Sequence, residues 1–380
     1  MNETASKTKI LHVARAAGGI GVYIDLITRY TNDLKFEHIV VHEDDYETIS
    51  FKNKSGNPIR TYKLNIPREI NPAADLKAVI RMRKIIKREN PQIIHVHSAK
   101  GGVIGRLAAW GTGIPVLYTP NAFSYLSTPN PFKRFVFLSI ERILKEFNSK
   151  LLASSPSELE RGVKEVGFKK EKAFLYNNSI EPIEVAGLTM PRTWPDKYIC
   201  TVGRPSYQKR LDMMIKVLAA LKKEWPDIHL VVMGVGFYSP ELDRVKQLIK
   251  KYGLKSNVTL LEWTDKENVH YIISNARLYI STARYEGLPF SVIEALALGK
   301  PVVATRVDGN KDLVIDGYNG YLVEGENISE MKNKVLEILQ NQALAETFGL
   351  RSEQLFEENY NILKTIGLLE NIYLKNRGGK

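Results

Sequence analysis

The chain of 380 residues contains one cysteine, Cys200, so no intrachain disulfide can form, and no Cys/His cluster has the spacing of a zinc site. A lone cysteine is compatible with a reducing compartment. No apolar run approaches the roughly 18–20 residues that span a bilayer, and the N-terminus, from Met1 to Lys9, enters a strand with no apolar leader before it. A helix-turn-helix pattern and the basic-aromatic stripe of single-strand binders are both missing, which sets nucleic acid aside as a partner. Gly19-x-Gly21 lacks the third glycine of a dinucleotide fingerprint, because Ile24 stands in its place. Two histidines, His95 and His97, alternate on one predicted strand, but two ligands without a third make a poor metal site.

What is present points to a soluble α/β protein of two domains. Hydrophobic residues make up 44% and charged residues 25%, ordinary values for a globular chain that is too long for one core. Apolar strands alternate with amphipathic helices: Ile10–Ala14, a helix after Gly19, His38–His42, a basic helix Leu76–Arg88, Ile93–His97, a helix Gly105–Trp110 and Val116–Thr119. A proline-rich stretch from Ser179 to Pro195 reads as a linker, after which the alternation restarts at Tyr198. This predicts two doubly wound, parallel-sheet, Rossmann-like domains, residues 1–184 and 185–356, joined by right-handed crossovers. The apolar repeat Tyr360, Leu363, Ile366, Leu369 and Ile372 predicts a last helix over 357–380 that crosses back onto the first domain.

The charge, +12 in all, is uneven: residues 1–190 carry 28 Lys/Arg against 19 Asp/Glu, and the remainder 26 against 23. Such a field suits an anionic membrane surface or a phosphate-bearing ligand. The stretch Pro131–Lys145 mixes aromatics with Lys133, Arg134, Arg142 and Lys145, so it fits either a lipid-facing helix or a core helix with a basic edge.

The most informative segment runs from Leu278 to Thr305. Two apolar strands flank a turn marked by Gly287 and Pro289 and a short helix closed by Gly299. Glu286 then lies at the carboxyl end of a parallel strand, where open α/β sheets bind ligands. The N–H groups of Leu288, Phe290 and Ser291 open the helix as a phosphate cradle, and Glu294 inside it can accept bonds from vicinal hydroxyls. Arg204 and Lys209 follow the first strand of the second domain and can converge on a diphosphate.

Glu286 and Glu294, with seven residues between them, resemble the Glu-x7-Glu signature of retaining nucleotide-sugar glycosyltransferases of family 4, which have the GT-B fold. The resemblance covers nearly the whole chain and is strongest over about 198–325. It implies a ligand cleft between two domains and transfer of a sugar, UDP-linked by preference, to an acceptor hydroxyl on a lipid-linked glycan of cell-surface polysaccharide synthesis. Glu286 would orient the sugar, Glu294 the ribose, and Arg204 with Lys209 the diphosphate, while the base rests near Trp263 and Thr264. Gly19 would let the first domain close on the donor phosphate, while His97, at the carboxyl end of its strand, is read as a substrate-binding residue of the cleft. No Asp-x-Asp occurs, so no metal or other cofactor is expected. The work would be done in the cytoplasm, peripherally at the inner face of the membrane.

Three departures accompany this likeness. Asn121 stands where many relatives have a histidine that touches the transferred sugar, and Asn cannot act as a titrating base. Pro205 and Arg210 replace family residues around the two cations, and Asp308-Gly309-Asn-Lys-Asp312 replaces a Gly-Gly-x-x-Glu. These departures leave open a nucleotide-sugar epimerase or a non-catalytic nucleotide-sugar-binding protein.

Overall fold

A computed structural model describes residues 7–15, 18–43, 50–67, 70–185, 194–195, 197–236, 239–262 and 264–378. The chain forms two compact units, Met1–Asn178 with Ile362–Lys380, and Ser179–Asn361.

In the first unit seven strands lie parallel: β1 (Thr8–Val13), β2 (Phe36–His42), β3 (Arg60–Lys63), β4 (Ile93–His97), β5 (Val116–Thr119), β6 (Ser149–Ala153) and β7 (Ala173–Leu175). Their order is β3-β2-β1-β4-β5-β6-β7, so the winding reverses between β1 and β4. The helices are α1 (Gly19–Tyr30), α2 (Pro72–Glu89), α3 (Ser98–Ala109), α4 (Pro131–Leu144) and α5 (Pro156–Arg161). Strand alternation sends Leu11, Val13, Ile39, Val41, Ile94, Val96 and Tyr118 into one apolar core with Met82, Ile86, Ile104 and Ala108. The opposite face of the same strands carries His12, His38, His95 and His97, all buried.

In the second unit β8 (Ile199–Val202), β9 (Leu230–Val235), β10 (Val258–Glu262), β11 (Tyr279–Ser281), β12 (Val302–Thr305) and β13 (Gly320–Val323) are parallel, in the order β10-β9-β8-β11-β12-β13. The winding reverses between β8 and β11. Around them lie α6 (Leu211–Lys222), α7 (Leu242–Lys251), α8 (Lys266–Asn275), α9 (Phe290–Ala297), α10 (Asn310–Leu313), α11 (Ile328–Gln340) and α12 (Gln342–Asn359). Leu211, Ile215, Leu218, Leu230, Val232, Ile280, Val303 and Val335 lie in one apolar cluster, and the neutral polar residues Asn257, Asn310, Asn319 and Ser352 are buried in the same unit. The last helix, α13 (Ile362–Asn376), belongs to the first unit.

Three helices differ from their sequence-based limits for identifiable reasons. The helix expected from 357 is interrupted: α12 ends at Asn359, and Tyr360 leaves helical geometry to accept, through its carbonyl, the Ile180 N–H at 2.9 Å. The Tyr360 hydroxyl also donates to Asp312 O at 2.7 Å. A three-residue apolar repeat is blind to such a break. Helix α3 starts at Ser98 instead of Gly105, because its glycines serve close packing: a Cβ on Gly102 would lie 2.5 Å from the Tyr118 ring, and one on Gly105 2.3 Å from Val96. Helix α2 begins at Pro72, earlier than the predicted Leu76, with the Asn71 side chain accepting from the Ala74 N–H.

Candidate functional site

In the second unit, strand β8 runs out into Gly203 and Arg204, and β11 into the segment that ends at Glu286. These are the two strands on either side of the winding reversal, where a crevice opens at the carboxyl ends of a doubly wound sheet. The loop after β8 is pinned to the loop after β11 by backbone and side-chain bonds. The Arg284 N–H donates to Gln208 O at 2.8 Å, and the Thr282 hydroxyl lies 3.1 and 3.0 Å from the carbonyls of Lys209 and Arg210. The Arg284 guanidinium stacks 4.3 Å from the Tyr207 ring centre and bonds its carbonyl at 2.6 Å.

The result is an ion pair across 77 residues of sequence. Lys209 Nζ lies 2.8 Å from Glu286 Oε1, and Gln208 Nε2 donates to Glu286 Oε2 at 3.0 Å. Glu286 is 6% exposed, so its charge is held in a medium where pairing matters. Burial pulls the Lys209 ammonium down, but the carboxylate of Glu286 and the Tyr279 hydroxyl outweigh it, and its pKa is raised. Lys209 therefore remains a cation throughout the neutral range. The Arg204 charge is close enough to act on both Lys209 and Tyr285. Gly309 meets this carboxylate from the other side: a Cβ there would lie 2.8 Å from Glu286 Cβ and 2.9 Å from Gly287 O. Its φ of 77° and the bond from its N–H to Asp312 Oδ2 at 3.0 Å give Asp308-Gly309-Asn-Lys-Asp312 a packing reason for its glycine and its last acid.

Helix α9 opens at Phe290 with Pro289 as its cap residue and no side-chain cap. Leu288 and Ser291 are buried beside it and Phe290 is partly exposed. Glu294, one turn further on, faces His270 of α8, with Nε2 and Oε1 3.5 Å apart. Thr264 accepts from Asn268 Nδ2 at 3.1 Å at the start of α8, at the far edge of the sheet after β10. Trp263 lies outside the described residues. Gln208 and His270 are the partners that sequence reading passed over. Their signal is faint, an amide in the cation loop and a lone histidine in a helix, and only the packing of loops after β8 and β11, and of α8 on α9, shows whom they meet.

In the first unit, Gly19 is the exposed first residue of α1, whose cap Gly18 has φ 59°. Asn121 and Ala122 follow β5 with φ 52° and 73°, the second an unusual value for alanine. Buried Glu158 of α5 holds this turn, accepting from the Ala122 N–H at 2.7 Å and the Ser154 N–H at 2.7 Å. Asn121 Nδ2 is buried with no hydrogen-bond partner. His97, fully buried, does not stand alone: its Nε2 lies 3.0 Å from His12 Nδ1. The third and fourth histidines that sequence reading did not supply come from β1 and β2. His12, His95 and His97 have ring nitrogens within 4.8 Å of one another, a spacing open to a metal as well as to hydrogen bonds. Burial, and then the neighbouring rings, hold His12 and His95 well below the usual range, while burial alone brings His38 and His97 down to about 3. All four are neutral near pH 7.

Two parallel doubly wound sheets of this kind define the GT-B fold. The sucrose-phosphate synthase of Thermosynechococcus elongatus superposes with a TM-score of 0.84 at 18% identity, covering 97% of this chain and 99% of its own. The family described as "Glycosyl transferases group 1" matches residues 193–354, and the "Glycosyl transferase 4-like domain" matches residues 18–178. Between them they span both units, and the chain belongs to the glycosyltransferases of this family-4-like kind. Among curated relatives, the UDP-Gal:alpha-D-GlcNAc-diphosphoundecaprenol alpha-1,3-galactosyltransferase of Escherichia coli is 23% identical over 81% of each chain. The capsular polysaccharide biosynthesis glycosyltransferase CapM of Staphylococcus aureus is 25% identical over 90% of this chain and 91% of its own.

Proposed function

We propose that this glycosyltransferase moves a sugar, with retention, from a nucleoside-diphosphate sugar to the hydroxyl of a lipid-linked glycan in polysaccharide synthesis, with UDP as the preferred carrier and no metal. The observation that carries the reading is the Lys209–Glu286 pair at the winding reversal, with Gln208 and Arg204 beside it. In the transfer the bond from the anomeric carbon to the diphosphate oxygen breaks as the acceptor oxygen attacks the same face. The acceptor proton passes to the departing phosphate oxygen, so no basic side chain is required and Asn121 is tolerated. Lys209 and Arg204 neutralise the charge that builds on that phosphate, the role a preorganised cation fills best in a water-poor site. Glu286, oriented by Gln208 and Lys209, holds hydroxyls of the sugar, and Glu294 holds the ribose. UDP is favoured because the E. coli relative's name specifies it, and a lipid-linked acceptor for the same reason.

The outer surfaces of α2 and α4 support attachment to an anionic membrane face. No described helix is long and apolar enough to cross a membrane. Helix α4 buries Glu141 and Leu144 and packs Phe137 and Leu138 on the core, yet leaves Phe132 (73%) and Phe135 (64%) exposed beside Lys133 and Arg134. It thus packs on the core along one side and presents an aromatic, basic side that suits a lipid surface. Helix α2 presents Leu76 and Ile80 among Lys77, Arg81 and Lys84 in the same manner. Apolar side chains set among cations fit an interface with acidic lipid.

The reading is tested by thermal shift with UDP, GDP, ADP and their sugars in the presence of a chelator. UDP and a UDP-sugar should raise Tm most, without divalent metal. A panel in which no nucleoside diphosphate stabilises the protein, or in which magnesium or manganese is needed, would overturn it.

A further inference from the structure

The bonds of the buried histidines have a direction. Thr31 Oγ1 lies 2.9 Å from Ile27 O and 2.7 Å from His38 Nε2; His38 Nδ1 lies 2.9 Å from His12 Nε2; His12 Nδ1 lies 3.0 Å from His97 Nε2. The Thr31 hydroxyl has one proton. If it donates to Ile27 O, His38 must donate to it, His12 to His38 and His97 to His12, and every close pair is a hydrogen bond. If it donates to His38 instead, all three ring contacts reverse and the bond to Ile27 O is lost. The first arrangement therefore keeps one more hydrogen bond, which favours it by roughly tenfold. His95 repeats the device: the Thr119 hydroxyl lies 2.8 Å from Leu152 O and 2.9 Å from His95 Nε2, so His95 donates through Nε2 and accepts the Tyr373 hydroxyl, 2.9 Å away, at Nδ1.

Of the eight ring nitrogens in this cluster, His97 Nδ1 is the one left without a partner, and it is buried. We infer that Thr31, His38 and His12 form a one-way relay that fixes the tautomer of His97 and leaves its Nδ1 as a bare acceptor for a ligand hydroxyl. The position supports this. His97 ends β4, next to β1, at the winding reversal of the first sheet, where ligands of such sheets bind. A buried acceptor without a partner is unfavourable until a donor reaches it. On the strand beside it, two residues past the Thr119 that pairs with His97, Asn121 keeps an unpartnered amide N–H. A bare acceptor and a bare donor on adjacent strand ends match a hydroxyl, which donates one hydrogen bond and accepts another. His97 is then a specificity residue for the acceptor sugar, and Thr31, His38 and His12 are its positioning residues. The inference rests on the first unit being the acceptor side of a glycosyltransferase.

Long-range proton–nitrogen spectra of the full chain labelled with 15N-histidine test it directly. Expected are four neutral Nε2–H rings and a His97 Nδ1 resonance typical of an unprotonated, unbonded nitrogen. Thr31→Val should raise the population of His97 protonated at Nδ1 about tenfold, whereas Thr31→Ser, which keeps the hydroxyl, should restore the wild-type spectrum. A short-chain alkyl diphosphate of GlcNAc should move the Nδ1 signal toward its hydrogen-bonded position. A protonated Nδ1 in the wild type, one equivalent of tightly bound zinc, a Thr31→Val spectrum like the wild type, or no response to the probe from protein that binds UDP would each overturn the inference. Protein that shows the expected tautomers but binds no UDP by calorimetry would instead sink the glycosyltransferase reading.

Discussion

The two units share a sheet architecture and place their ionisable residues differently. The second buries neutral groups such as Asn310, Asn319 and Ser352 and keeps its pairs of ionisable side chains, Lys209 with Glu286 and Glu294 with His270, in the loops and helices beyond the strand ends. The first puts polar groups inside: four histidines under one sheet face, and the fully buried Arg106–Glu141 pair, 2.8 Å apart, under the other. Arg106 also lies 3.9 Å over the Tyr118 ring, whose hydroxyl donates to Glu141 at 2.9 Å. An apolar core is tolerant of pH and vulnerable to cavities, whereas a core of neutral imidazoles and one ion pair depends on each proton staying in place.

The largest expected effect is acid sensitivity concentrated in the first unit, which holds four histidines with depressed pKa values against His229 in the second. Folded His12, His38, His95 and His97 all have depressed pKa values, His38 and His97 to about 3. The unfolded chain, near 6.5, therefore binds protons that the folded one refuses. Their contribution is fully present above about 6.5 and is lost as pH falls toward 3, by up to about 1.4 kcal/mol per pH unit for each ring. Unfolding followed between pH 7 and 5 should show the first unit failing ahead of the second. Two units that soften together would break the contrast.

Next in size, Glu141→Ala leaves Arg106 charged and unpaired in the core and should cost about 3–5 kcal/mol in denaturant melts. The double change Arg106→Met, Glu141→Leu should recover most of that, since apolar groups of similar volume replace the pair without a stranded charge. In the second unit, Lys209→Met should leave the first unit's melting unchanged and lower turnover about 10²–10³-fold, the scale of one lost preorganised charge. A turnover near wild type would remove Lys209 from the diphosphate site. The last prediction concerns the outer face of α4. Phe132→Ser with Phe135→Ser should weaken liposome binding that survives high salt, because each buried phenyl contributes about 1.5–3 kcal/mol regardless of ionic strength. Reversing Lys133, Arg134, Arg142 and Lys145 to Glu should remove only the salt-sensitive part, about 1 kcal/mol per charge. Cosedimentation with acidic and neutral vesicles reads both.

How much was legible beforehand follows from the range of the forces involved. Helix α6 was readable to the residue, Leu211 to Lys222, because its apolar spacing and its burial agree. The strand-turn-helix-strand run through Glu286 and α9 was readable too, being a local pattern of apolar strands, Gly287, Pro289 and Gly299. Strand β3, Arg60–Lys63, was not foreseen, since it is polar and mostly exposed at the sheet edge. Glycine-rich α3 was shortened because periodicity has nothing to count where side chains are missing.

Composition, period and turn chemistry act over a few residues, so the sequence by itself determined two parallel α/β sheets, their strand ends, and which residues stand at those ends. Only the tertiary structure decided who meets whom there. Lys209 pairs with Glu286 because β8 and β11 are neighbours though 77 residues separate the two side chains. His12, His38 and His97 form one bonded row because β1, β2 and β4 lie side by side, with Thr31 at its end. Strand order is set by packing summed over the whole unit, and no local run of residues carries that sum.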